Sequence, residues 1–177
     1  MIVLGIDPGS HRCGFGVVAR EGRQLHVVAS GVLAPGALPM AERLGRILDG
    51  LEDLIRRARP AEVAVEAVFS GASARSALVL GQARGVALAV SARAGLPVFE
   101  YAPSEVKLAF TGSGRADKDQ MLRTARLLLG AAPELSDEAD ALALAVCHLA
   151  RRQLRPAGAP AALDRLRPAR RDHRRAP

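Results

Sequence analysis

Residues 1–20 read MIVLGIDPGSHRCGFGVVAR. Residues 2–7 have the pattern of a strand, apolar almost to its end and closed by Asp7. Pro8, Gly9 and Ser10 then turn the chain into a second strand over roughly residues 14–20. A carboxylate in that place is half buried. Burial without a partner costs several kcal/mol, or the group takes up a proton instead. Asp7 therefore faces a cation, a hydrogen-bond network or a metal ion, unless it only caps the turn that follows.

Working outward, LHVVASGVLA (25–34) reads as a third strand. ALPMAERLGRILDGLEDLIRRARP (37–60) carries Leu44, Ile47, Leu48, Leu51 and Ile55 at helical spacing and is stopped by Pro60. AEVAVEAVF (61–69) is a short buried strand. SARSALVLGQARGVALAVSARAG (73–95) is a long helix, apolar or small nearly all round, which implies burial on more than one face. LPVFEYA (96–102) is another strand. Two or three helices follow, one from near Asp117 and the last from Ser136 as its N-cap. Three strands in succession predict an antiparallel meander, and the later crossovers predict parallel additions. The fold class is α/β, a mixed five-stranded sheet flanked by helices.

At 177 residues the chain suits one domain, expected over 1–153. It is 49% hydrophobic and has no Trp, so the core is built from Ala, Leu and Val. No run approaches the roughly 18 uncharged apolar residues of a membrane span. The N-terminus has no secretory pattern, and a cytoplasmic protein with no membrane partner is expected. Cys13 and Cys147 lack metal-site spacing and read as reduced, packed thiols. The net charge of +7 is a property of the end of the chain, because from Arg151 onward there are nine Arg against two Asp. Residues 154–177 form a basic Arg/Pro/Ala-rich tail whose composition reads as disordered. Such a tail either binds nucleic acid through phosphate contacts or is solvated and keeps the protein soluble.

Three places put acids where the pattern expects apolar residues or the end of an element. Asp7 closes the first strand and Glu66 closes the strand VAVE. Asp137 and Asp140 stand three apart on the last helix, hence on one face. Taken singly each has an ordinary explanation; Asp137 and Glu138, for instance, suit the dipole of a first helical turn. If they converge at one sheet edge, like charges need cations, and hard divalent ions suit an all-oxygen donor set. Mg²⁺ is the natural filling. That points to phosphoryl or phosphodiester chemistry with two ions per site. His11, His26, His148 and His173 are expected near termini, loops or the tail, and no Ser–His–Asp arrangement is suggested.

LGIDPGS…GFGVV (4–18), VAVEAVF (63–69), SALVLGQARGVALA (76–89), PVFEYAPSEVK (97–107) and DEADALALA (137–145), in this order, resemble the RuvC family of bacterial Holliday-junction resolvases. That family lies within the retroviral-integrase/ribonuclease-H superfamily. The resemblance covers about residues 1–150 and implies a ribonuclease-H-like nuclease domain. It implies that Asp7, Glu66, Asp137 and Asp140 hold two Mg²⁺, or Mn²⁺ in their place. Activated water would then cut a DNA phosphodiester, leaving 5′-phosphate and 3′-hydroxyl ends. Lys107 and Lys118 match positions that contact the DNA backbone. Arg115 lies in the Gly-rich loop FTGSGRAD (110–117), whose N–H groups could approach phosphate. Phe69 is implied to be an exposed ring stacking on a base near the crossover. A symmetric homodimer through the 73–94 helix and a RuvA–RuvB branch-migration complex are the implied partners of the protein on four-way junction DNA. Ala67 and Ser73 are shorter than their counterparts, and Arg75 is an added charge expected on the loop, which leaves the preferred cleavage sequence open. The rival readings are a ribonuclease H on RNA–DNA hybrids, a non-catalytic junction binder, and an actin-like ATPase or sugar kinase.

Overall fold

The computed structural model describes residues 1–67 and 74–154. Phe69 and the basic tail lie outside the described residues. Strand β1 (Ile2–Asp7) pairs antiparallel with β2 (Cys13–Glu21), and β2 antiparallel with β3 (Gln24–Leu33). On its other edge β1 pairs parallel with β4 (Glu62–Glu66), and β4 parallel with β5 (Val98–Tyr101). The sheet order is β3-β2-β1-β4-β5, the expected meander with parallel additions. Helices α1 (Met40–Ala58) and α2 (Ala74–Arg93) lie between β3 and β4 and between β4 and β5 in the chain. Three more complete the described chain: α3 (Pro103–Thr111), α4 (Lys118–Leu129) and α5 (Ser136–Leu154). Among the described residues no helix is long and apolar enough to cross a membrane.

Alternation along the central strands decides what faces what. Leu4, Ile6, Val63 and Val65 pack with Ile47 and Leu51 of α1 and with Ala87 and Val90 of α2. Val3, Ala64, Phe99 and Tyr101 face the other way, onto α3, α4 and α5. A strand covered on both faces must be apolar throughout, which is why β1 and β4 read as unbroken apolar runs. Period two then turns Asp7 and Glu66 to the α5 face with Val3 and Ala64.

Helix α5 lies unusually close to the sheet because glycines leave room for its backbone. A Cβ on Gly5 would stand 2.0 Å from the Ala141 carbonyl oxygen, one on Gly14 2.0 Å from that of Asp137, and one on Gly16 2.7 Å from the Leu142 nitrogen. The helix is also pinned by polar contacts. Arg20 Nη1 donates to the Leu149 carbonyl at 2.6 Å, and Ser30 Oγ donates to Glu138 Oε1 at 2.6 Å.

Sequence and structure part at three points here. His148 is not peripheral: it is fully buried in α5. Its Nε2 is bonded to Glu62 Oε2 at 2.5 Å and its Nδ1 to Tyr101 Oη at 2.7 Å, while Arg152 pairs with Glu62 at 2.7 Å. Removing His148 leaves a cavity and costs Tyr101 and Glu62 one hydrogen bond each, while Glu62 keeps Arg152. His148→Ala should therefore lose about 2–4 kcal/mol of unfolding free energy. Urea unfolding measures it, and a loss below about 1 kcal/mol would show the network to be energetically idle. Second, α5 starts one residue earlier than expected: the Leu135 carbonyl accepts from Ala139 N–H at 3.2 Å, so Ser136 is inside the helix. Third, α2 buries only Ala83, Ala87, Val90 and Ser91 within this chain, and Leu78 is 66% exposed. Its second apolar side has no cover from the chain's own described residues.

Candidate active site

Asp7 ends β1 and Glu66 ends β4. These strands are parallel neighbours in a register that pairs Ile6 with Val65, so the two carboxylates stand side by side. Gly14 is the partner of Asp7 across the antiparallel ladder, and Asp137 lies over Gly14 at the close approach just described. Asp140 follows one helical turn later on the same face. The four acids thus come from three elements to one end of one sheet face.

The acids act on one another electrostatically. Burial, then the charges of Glu66, Asp140 and Asp137, push the Asp7 carboxyl up to about 8. Asp7 and Glu66 also share a hydrogen bond. Glu66 is raised by its own burial and by Asp140, against the lowering influence of Lys107. Burial raises Asp140, offset by Lys107 and Lys118. Both lysines therefore face the acids, Lys107 half-buried on α3 and Lys118 exposed at the start of α4. Asp117 caps α4, accepting from Gln120 N–H at 2.8 Å, and this fixes where Lys118 begins the helix.

The loop carrying Arg115 is braced by its own hydrogen bonds. Ser113 N–H donates to Thr111 Oγ1 at 3.1 Å, Arg115 N–H to Ser113 Oγ at 3.4 Å, and Ala116 N–H to the Ser113 carbonyl at 3.2 Å. These N–H groups are bonded within the loop and hold it in shape. Arg115 itself is exposed. Glu138, one residue from Asp137, points elsewhere, with Oε1 taken by the Ser30 hydroxyl. Cys13 and Cys147 are free, buried thiols, and burial pushes Cys13 up to about 12, which makes it inert.

Two contacts at the site were not foreseen. Arg12 Nη1 stands 4.0 Å from Asp137 Oδ2. Arg84 on α2 donates through Nε to the Glu66 carbonyl at 3.4 Å and pairs with Glu100, tying down the end of β4. Neither has a signal in the chain, since both arginines lie in stretches where an exposed cation is ordinary.

The donors suit a hard divalent ion: four carboxylates, one of them holding a proton that a cation would displace. Among the described residues no three His, Cys, Asp or Glu side chains are already drawn into a ligand cage.

A mixed sheet of this order with acids from its two central strands and a packed helix defines a ribonuclease-H-like nuclease. The comparisons with known proteins narrow that class. The family model for the crossover junction endodeoxyribonuclease RuvC matches residues 3–148. The RuvC of Anaeromyxobacter dehalogenans (strain 2CP-C) is 78% identical, covering 100% of both chains, and that of Chloroflexus aggregans is 50% identical over 84% of this chain and 92% of its own. Thermus thermophilus RuvC, solved in complex with a Holliday junction substrate, superposes with a TM-score of 0.81 at 37% identity, covering 87% of this chain and 96% of that one. This chain belongs to the RuvC family of crossover junction endodeoxyribonucleases. Membership implies dependence on a divalent metal ion.

Proposed function

We propose that this chain resolves four-way DNA junctions by hydrolysis at Asp7, Glu66, Asp137 and Asp140, as one half of a symmetric homodimer. The observation that carries the reading is the convergence of these carboxylates on one sheet face with Lys107 and Lys118 beside them. The all-oxygen set suits two Mg²⁺, with Mn²⁺ as substitute. Ions held there would supply the Lewis acidity to activate water and offset charge on the phosphodiester.

The chain's own groups do the rest. Asp7 would hold a metal ion as its anion, its proton passing to solvent. Lys107, acting on both Glu66 and Asp140, holds the phosphodiester against acids that would otherwise repel it. Lys118 and Arg115 extend that grip along the backbone, and Phe69 stacks on a base at the crossover. Resolution needs two matched cuts, and a two-fold axis presents two identical sites. The open side of α2, with Leu78 exposed, supports a dimer formed there. A RuvA–RuvB complex is the proposed branch-migration partner.

The test is cleavage of a synthetic four-way junction with Mg²⁺ and with Mn²⁺, with linear duplex and RNA–DNA hybrid alongside. Paired symmetric nicks on the junction, leaving 5′-phosphates, are expected. Binding without nicks under both metals would make the protein a structural junction binder, and cutting of the hybrid alone would make it a ribonuclease H.

A further inference from the structure

We propose that the cleft between the β1–β2 turn and the start of α2 is a phosphate subsite for the strand being cut. In this proposal Arg12 leaves Asp137 for that phosphate when the strand arrives. The proposal rests on the junction-cutting reading above and adds to it a site built from this chain's own arginines. The cleft holds about 600 Å³ and is lined by Ser10, His11, Arg12, Arg75, Val79 and Asp137 among others.

Each wall supplies one guanidinium. Arg75, expected on a loop, is exposed in the first turn of α2, a turn without any acid. Arg12 stands on the opposite wall with 58% of its side chain in solvent. The backbone beneath it is fixed. A Cβ on Gly9 would come within 2.3 Å of the Arg12 carbonyl oxygen, so the turn is closed tightly. The neighbouring His11 accepts from Arg43 Nη1 at 2.6 Å, and Arg43 is anchored in α1 with 8% exposure. Arg12 is therefore an exposed arm on a braced turn. Its 4.0 Å contact with Asp137 is a solvent-exposed ion pair, of a kind that contributes little. A phosphate offers the same guanidinium a bidentate, charge-assisted partner and is the better one. Val79 and Leu80 form an apolar floor against which a sugar or base can lie.

Asp137 belongs both to this cleft and to the acid cluster, so the two sites are continuous. With Arg12 resting on Asp137, the free protein carries its own counter-cation where a metal ligand is needed. Drawing Arg12 onto phosphate releases that carboxylate. Junction binding and metal binding should therefore favour one another.

The experiment uses the full-length chain. In an Asp7→Asn background, where the junction stays uncut, binding is measured across a salt series. Arg12→Gln and Arg75→Gln are each expected to weaken binding severalfold. Each should also reduce the slope of log affinity against log salt by about 0.9, the signature of one lost phosphate contact on duplex DNA. Arg12→Lys should restore the slope. In a second arm, DNA-free protein with Asp7 intact is titrated with Mn²⁺, and Arg12→Gln should bind the ion about two- to fivefold more tightly. Unchanged slopes in both Gln variants would overturn the subsite, and unchanged Mn²⁺ affinity would overturn the exchange at Asp137. A parent protein that does not bind the junction at all would instead overturn the reading beneath.

Discussion

Asp7→Asn abolishes cutting, keeps junction binding, and makes the metal-free protein more stable at neutral pH. Loss of activity should exceed about a hundredfold, because even outer-shell changes at metal sites cost 10–100-fold and Asp7 is placed centrally among the proposed ligands. Binding should survive because the lysines and arginines proposed to grip the DNA backbone are untouched. The stability change follows from linkage. The Asp7 carboxyl titrates near 8 in the fold, against an ordinary 3.8. Between those values the folded state keeps a proton that the unfolded chain has lost, so stability falls as pH rises through the window. Below it, both states are protonated and nothing is lost. Asn cannot ionise, so the variant lacks this decline and should gain a few kcal/mol by the upper end. That corresponds to roughly 5–10 °C in Tm. Thermal melts in chelator from pH 4 to 8 measure it. A variant with the same pH slope as wild type would show that Asp7 is not the buried acid described here.

Gly14→Ala should be the second large effect. The new Cβ would sit 2.0 Å from the Asp137 carbonyl oxygen, a backbone atom that cannot rotate away. Either α5 rides outward or β2 bends, and overpacking of this kind costs about 1–3 kcal/mol. The effect on cutting is larger than the effect on stability. Asp137 and Asp140 ride on α5, and displacement of a reacting geometry by about 1 Å lowers rates on the order of a hundredfold. Gly45→Ala is the control: on α1 its Cβ meets nothing within 4 Å, and an Ala in a helix interior gains about 0.5–1 kcal/mol. Circular dichroism and the junction assay compare the two. A Gly14→Ala protein that cuts at the wild-type rate would show that α5 does not owe its position to the glycine.

The parts of this molecule that were legible in its sequence are those written in periodicity. The apolar run from Ile2 to Ile6 and the VAVE strand declare a sheet covered on both faces, and the carboxylates that interrupt such runs stand out for that reason. Asp7 and Glu66 were visible in this way, Asp140 by its small apolar neighbours, and Asp137 as a candidate through the family resemblance. What sequence could not show are contacts across large separations. Glu62 and His148 lie 86 residues apart and become partners only once α5 is laid on the sheet. Gly5, Gly14 and Gly16 look like ordinary strand glycines until the helix backbone above them is known. Glu138 stands next to Asp137 in the chain, but a helical step of one residue turns it toward Ser30. Arg12 is an unremarkable charge in a turn until Asp137 is found opposite it.

Anomalous diffraction at the manganese edge from crystals of the full-length protein grown with Mn²⁺ tests the central claim most directly. Two peaks are expected at the α5 end of β1 and β4, bounded by the carboxylates of Asp7, Glu66, Asp137 and Asp140. Full occupancy at that place would establish that the acids converge in order to hold metal. A map with no peak there, or with manganese bound only elsewhere on the chain, would contradict it.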